Sequence, residues 1–194
     1  SLIISGQITR EQALEELNVD VSIEKVYFDT LIILNDSILS YEKRTELLFE
    51  IFKENKIIQR IFATFLIQSN REFFFSNIDM FDCEKLIDIL WYQKKEDIDF
   101  DKIKNNQFLN ELYSAKNYIN SVSNSSDFDL NILILINKYQ KDIKTNLTFE
   151  FICNSCKHSS PFYEARCPNC HSILSLEVKH HLTKAYELSN QSLQ

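Results

Sequence analysis

Glycine and proline are nearly missing from this sequence, which holds one Gly and two Pro in 194 residues. Rossmann fingerprints, Walker loops, kinase glycine loops and nucleophile elbows need several glycines, for tight turns and for close approach of backbone to phosphate or substrate. Those enzyme classes are excluded. The same scarcity argues against an all-β chain, because two-residue hairpin loops want Gly, Asn or Asp at positive φ. Helices are the default. Long apolar runs are lacking too: the longest, Leu31 to Leu34 and Ile132 to Ile136, fall far short of the ~20 residues that span a bilayer. The chain opens on Ser1-Leu2 without Met, which leaves an anchor or signal ahead of Ser1 within expectation.

Positive charge is also in short supply. The formal net charge is −7 and the pI is near 5.2, so the chain as a whole repels nucleic acid phosphates. Around the cysteines, Lys157, Arg166 and Lys179 are offset by Glu150, Glu164 and Glu177, and no basic patch forms. Nucleic acid is not an expected partner. With 44% hydrophobic and 25% charged residues the chain is ordinary for a globular protein and too apolar for a disordered one.

What the sequence does contain is helical periodicity over most of its length. Thr9, Arg10, Glu11 and Gln12 match a capping box and predict a short helix from Arg10 to Leu17. From Ser22, the residues Ile23, Val26, Tyr27, Thr30, Leu31 and Leu34 predict a second. Ser40 caps a third carrying Tyr41, Leu47, Leu48, Ile51 and Phe52, and Asn55 breaks it before a fourth with Ile57, Ile58, Ile61, Phe62, Phe65 and Leu66. The Phe-rich stretch from Arg71 to Phe81 has no legible boundaries. Asp82 is read as the cap of a helix with Leu86, Ile87, Leu90 and Trp91. After an acidic linker from Glu96 to Asp101, one long helix is expected to carry Phe108, Leu112, Ala115, Ile119 and Val122 on one face. Ser121 to Asp127 reads as a loop, and a last helix runs from Phe128 to Lys144.

The fold class expected is therefore mainly α. Helices of about 14 residues in pairs suggest stacked antiparallel hairpins, either tetratricopeptide-like or in an irregular bundle. The expected domains are a helical part at residues 1–145, a metal-binding ribbon at 146–180, and a tail at 181–194 that can form a short helix.

Four of the five cysteines lie in two Cys-x-x-Cys pairs, Cys153 with Cys156 and Cys167 with Cys170, separated by ten residues. Each pair can form a tight knuckle whose thiolates reach one ion, with the intervening residues folding back as a hairpin. Such a four-sulfur site is closed, without a position for a metal-bound water, and a segment this small needs the metal to fold. Zinc is the expected ion, with iron the alternative. Leu147, Phe149 and Phe151 alternate as a strand entering the first knuckle, and Leu174, Leu176 and Val178 as a strand leaving the second. Phe162 and Tyr163, in the hairpin tip, either pack on the helical part or fill the ribbon's own core.

Other chemistry is thin. Cys83 stands alone and reads as a small buried hydrophobe. His158 and His171 flank a complete cysteine set and read as solvated neighbours, and His180-His181 as surface. Asp97, Asp99 and Asp101 mimic half a calcium loop, but Lys102 takes the glycine position and Phe108 that of the bidentate glutamate. They read as a linker and helix cap. With every histidine in the ribbon region, no catalytic constellation can be nominated and the chain is not expected to be an enzyme.

The string Phe151-Ile-Cys-Asn-Ser-Cys, then Tyr163 to Arg166, then Cys167-Pro-Asn-Cys, resembles the C-terminal rubredoxin-like module of the LapB (YciM) family, whose members carry a tetratricopeptide array before it. The specific overlap covers about Phe149 to Val178. Lys157 and His171 depart from it, standing where rubredoxin knuckles usually have glycine, and a tail follows Val178. The resemblance implies that Cys153, Cys156, Cys167 and Cys170 are the ligands. It also implies a cytoplasmic protein tethered to the inner membrane by a segment absent from this chain. Its function would be that of an adaptor controlling lipopolysaccharide synthesis through the membrane-bound protease FtsH and the lipid-synthesis enzyme LpxC.

Three functions compete. A protein-binding scaffold predicts an exposed groove beside the ribbon. A rubredoxin-like electron carrier requires iron. A nucleic-acid-associated zinc ribbon requires a basic face.

Overall fold

The computed structural model describes the backbone of residues 10–140 and 144–184, with side chains from 22 to 140 and from 144 to 183. Its first helix, α1 (Arg10–Asn35), is a single rod of 26 residues, so the two N-terminal helices expected from sequence are one. A serine caps a helix only where the chain ahead of it has left the helical conformation. No Gly or Pro between Arg10 and Asn35 forces that departure at Ser22. Thr9, the expected cap, lies outside the described residues. Asp36 ends α1 by accepting the backbone N–H groups of Ile38 and Leu39 at 2.8 and 3.2 Å. Arg44, one turn into the next helix, donates to the carbonyls of Leu39 (3.1 Å) and Leu34 (3.4 Å), which ties the hairpin closed.

That next helix, α2 (Tyr41–Glu54), starts on Ser40, whose hydroxyl accepts from the Lys43 N–H at 3.2 Å, and stops at Asn55, as its sequence predicts. A 3-10 turn then leads into α3 (Gln59–Ser69). The Phe-rich stretch resolves into α4 (Arg71–Ser76), capped by Asn70, and a 3-10 turn at Ile78–Met80. Three consecutive Phe residues, 73 to 75, spread over more than half the circumference of a short helix and so show no period to read. Their partners lie elsewhere in the chain. Phe81 stacks on Phe52 with centroids 4.6 Å apart, Phe74 meets Phe81 at 5.1 Å and Phe52 meets Phe62 at 5.4 Å, making an aromatic centre for the core.

α5 (Ile87–Trp91) follows a 3-10 turn at Glu84–Leu86, and Cys83 rather than Asp82 stands at the turn's cap position. The long helix expected through Val122 is instead two. α6 (Phe100–Ile103) is capped by Asp99 and α7 (Gln107–Ala115) by Asn106. α7 stops because Asn117 adopts a left-handed φ of 59°, which asparagine tolerates better than most residues. The N–H of Tyr118 then returns to the carbonyl of Tyr113 (2.9 Å), and that of Asn117 to Ser114 (3.0 Å). This is a Schellman ending. Ile119 and Val122 still pack on the core, but from the loop. α8 (Phe128–Tyr139), capped by Asp127, ends short of the expected Lys144.

The helical body is thus mainly α, with helix lengths too uneven to repeat in 14-residue pairs. A three-stranded antiparallel sheet completes the fold in the order β2 (Ser159–Ser160), β1 (Thr145–Cys153), β3 (Leu176–Lys184). β1 and β3 pair from Thr145 with Lys184 to Cys153 with Leu176. The sheet therefore continues past the boundary expected at residue 180, and His181 to Lys184 are strand instead of the start of a helix. Residues beyond 184 lie outside the described part. Two β-branched residues, Thr183 and Val178, and the alternation of Leu176, Val178, His180 and Leu182 suit a half-covered strand. Leu147 joins the main core, with Phe149, Val178 and Leu182 packed beside it. The sheet is part of the body as well as of the ribbon.

Candidate metal centre

The four cysteines converge. Cys153 Sγ lies 3.6 Å from Cys170 Sγ, Cys156 Sγ lies 3.7 Å from Cys167 Sγ, and all four sulfurs fall within 4.8 Å of one another. Metal–sulfur bonds of about 2.3 Å would set the corners of a tetrahedron about 3.8 Å apart. The set therefore fits one four-coordinate ion, and soft thiolates on every side suit zinc or iron. No corner is left for water.

The two knuckles repeat one backbone design. Lys157 N–H returns to the Cys153 carbonyl (2.8 Å) and His171 N–H to that of Cys167 (2.9 Å). Cys153 N–H in turn donates to His158 O, and Cys167 N–H to Ser172 O, each at 2.9 Å. Both turns need a left-handed residue after the second cysteine, and Lys157 (φ 61°) and His171 (φ 62°) supply it. Non-glycine residues pay for that conformation with about 1–2 kcal/mol of steric strain. Lys157→Gly and His171→Gly are each expected to raise stability by about 0.5–1 kcal/mol, after the entropy of the added glycine is subtracted. Chemical denaturation of the metal-loaded protein would measure it, and a loss of stability in both variants would contradict the turn geometry.

Hydrogen bonds prepare the sulfurs for negative charge. Burial opposes ionisation of Cys153, yet the Ser175 hydroxyl at 3.3 Å and the backbone N–H groups of Cys156 and Ser155 bring its thiol down to about 6. The Ser172 hydroxyl, 3.3 Å from Cys170, and the Ser172 N–H lower Cys170 as well. At Cys167 the Cys170 N–H favours the thiolate, but burial and hydrogen bonding with Cys153 and Cys170 leave the thiol at about 11. Without an ion the four sulfurs must share protons, and a bound cation removes that conflict by accepting all four thiolates. No motif in the sequence marks Ser172 or Ser175. Their nearness to the second knuckle was the one available signal.

The histidines stay out of the sulfur cluster. His158 and His171 are exposed. His180 Nε2 meets Asp127 at 3.1 Å, and His181 Nε2 meets Glu150 at 2.8 Å. Bonds from Ser159 and His181 hold the Glu150 carboxyl below its usual range. Cys83 is buried among apolar residues, and burial, with Asp82, Asp79 and Glu84 nearby, pushes its thiol up to about 12. It is inert packing. Asp97 pairs with Arg71 at 2.6 Å and Asp99 caps α6, so the acidic stretch serves as linker and cap.

Tyr163 packs both on the ribbon's own cluster and, through Arg60, on the helical body, while Phe162 stays 73% exposed. Tyr163 forms one wall of an apolar groove whose other walls are Leu34 of α1 and Ile61 and Phe65 of α3. The residue that links the two sides is Arg60. Its guanidinium lies 4.2 Å from the Tyr163 ring centroid and 5.1 Å from that of Phe151, and it forms a double hydrogen bond with Asp88 of α5. Nothing local in the sequence marks Arg60, because its partners are 28 and about a hundred residues away. No helix among the described residues is long and apolar enough to cross a membrane. No family model, curated protein or solved structure matches the chain.

Proposed function

We propose that the chain is a non-enzymatic scaffold in which one zinc ion holds the C-terminal ribbon and the groove beside it docks another protein. The closed sulfur set carries this: four thiolates fill a tetrahedral shell, so the ion supports folding and has no position at which to activate water. The helical body is read as an irregular bundle, and the groove of Leu34, Ile61, Phe65 and Tyr163 as its recognition surface. By its resemblance to the LapB family, the partner would be a membrane-bound protease or a lipid-synthesis enzyme, with the chain as adaptor in lipopolysaccharide regulation. Binding of purified FtsH or LpxC, weakened by Phe65→Glu, is the matching expectation. Failure of both to bind would leave the scaffold without that pathway.

A second reading is iron cycling one electron. Exposure of Cys170 and the N–H groups aimed at the sulfurs favour it, since both tune reduction potential. Metal analysis separates the two. One zinc per chain in a colourless protein is the expected result; stoichiometric iron with a visible charge-transfer band would replace the scaffold with the carrier.

A further inference from the structure

We infer that metal occupancy in the ribbon is transmitted to the apolar groove through Tyr163, which the folded ribbon holds against Arg60, so that the groove keeps its ribbon-side wall only while the ion is bound. This rests on the proposed metal-held scaffold and adds a regulation to it.

The contacts form a continuous chain. Phe151 sits two residues before Cys153 on β1, in a small buried cluster with Cys153, Cys167 and Leu176, and Tyr163 packs against that cluster. The Phe151 and Tyr163 rings meet edge to face with centroids 5.7 Å apart. Arg60 lies against both rings from the side of the helical body. Its own position is set within that body, by Asp88 Oδ1 at 2.9 Å, by Asp88 Oδ2 and by the Lys85 carbonyl at 3.3 Å. Arg60 is thus a fixed anchor, and the rings are what the ribbon brings to it.

Among the described residues Tyr163 makes no hydrogen bond to the helices and meets them through the Arg60 guanidinium. It stands between β2 and Cys167 in a stretch without regular secondary structure, and its place depends on the ribbon keeping its fold. A unit of this size is held by its ion, because its own buried surface is too small. Loss of the ion therefore frees Tyr163 and opens the groove on that side. The two-state element is the ribbon, folded with metal and unfolded without it. Linkage makes the coupling reciprocal: a contact that holds Tyr163 on Arg60 also raises metal affinity.

The test uses the full chain and zinc alone. Tyr163→Leu removes the ring and leaves the Arg60–Asp88 pair intact. The double variant Arg60→Met/Asp88→Leu removes the cation without stranding a buried carboxylate. Competition with a chromogenic chelator is expected to show zinc bound about tenfold more weakly in each, the size of a desolvated cation–π contact. The cobalt-substituted proteins are expected to keep an unaltered four-sulfur spectrum, so that the effect lies in Arg60 and Tyr163 and not in the ligands. In fluorotyrosine-labelled protein, the Tyr163 fluorine resonance should move on zinc removal. Zinc affinities within twofold of the parent in both variants would overturn the inference, as would a Tyr163 resonance indifferent to zinc. A parent chain that binds no zinc at all would instead sink the metal reading itself.

Discussion

Replacing Cys153 and Cys167 together by serine is expected to abolish metal binding and unfold the cysteine end of the sheet while the helices persist. Both sulfurs are fully buried, one in each knuckle, so no three-sulfur site survives the change. A structural zinc contributes an apparent ~10–16 kcal/mol. That is as large as the whole net stability of an ordinary domain, about 5–15 kcal/mol, so the ribbon is not expected to fold without it. The helical body has support of its own. Its core runs from Leu48 to Ile134 and takes in Leu147 at the far end of β1, where Trp91 Nε1 also donates to Asn146 Oδ1 at 3.1 Å. Metal analysis should fall from one ion per chain to none, with helical circular dichroism retained. A double variant that still holds its metal would refute the ligand assignment, and one that loses all helix would show ribbon and body to be a single cooperative unit.

Asp88→Ala is expected to destabilise the protein by about 3–5 kcal/mol, because it leaves the Arg60 guanidinium unpaired in a nearly buried place. The side chains of Arg60 and Asp88 are only 13% and 11% exposed. The pair's net contribution is another matter. Removing both charges with apolar residues of similar volume is expected to be near neutral for the helical body, since desolvation of the ions offsets most of their attraction. Urea unfolding of Asp88→Ala beside Arg60→Met/Asp88→Leu would measure the difference. A loss under about 1 kcal/mol in the single variant, the range of exposed pairs, would mean that water reaches Arg60 freely.

Local caps made some helix ends legible and left others unmarked: Asn70 and Asn106 cap α4 and α7 with their own side chains, yet neither stands out in the sequence. Ser40, Asp99 and Asp127 all cap helices through their own side chains, a bond made within three residues and so readable from spacing. Ser22 has the same chemistry and caps nothing, because the helix before it has no reason to stop. Asn117 lies in a stretch with good helical periodicity, which hides the turn. Its left-handed turn pays off through Tyr118 reaching back to Tyr113, and Tyr113 is fully buried by the rest of the fold. Strand β3 outran its apolar alternation because pairing with β1, through Thr183 with Asn146 and Lys184 with Thr145, continues where the local pattern has turned polar.

What the sequence determined by itself is the sulfur set and the largely helical character. Two Cys-x-x-Cys pairs can reach one ion through their spacing along the chain, and near-absence of Gly and Pro leaves helices little to interrupt them; both are short-range effects. The tertiary structure alone decided that the ribbon shares its sheet with the helical core, and that Arg60 meets Asp88, Phe151 and Tyr163. Those contacts join residues far apart in the chain, where burial and charge pairing arise only once the whole fold has brought the surfaces together.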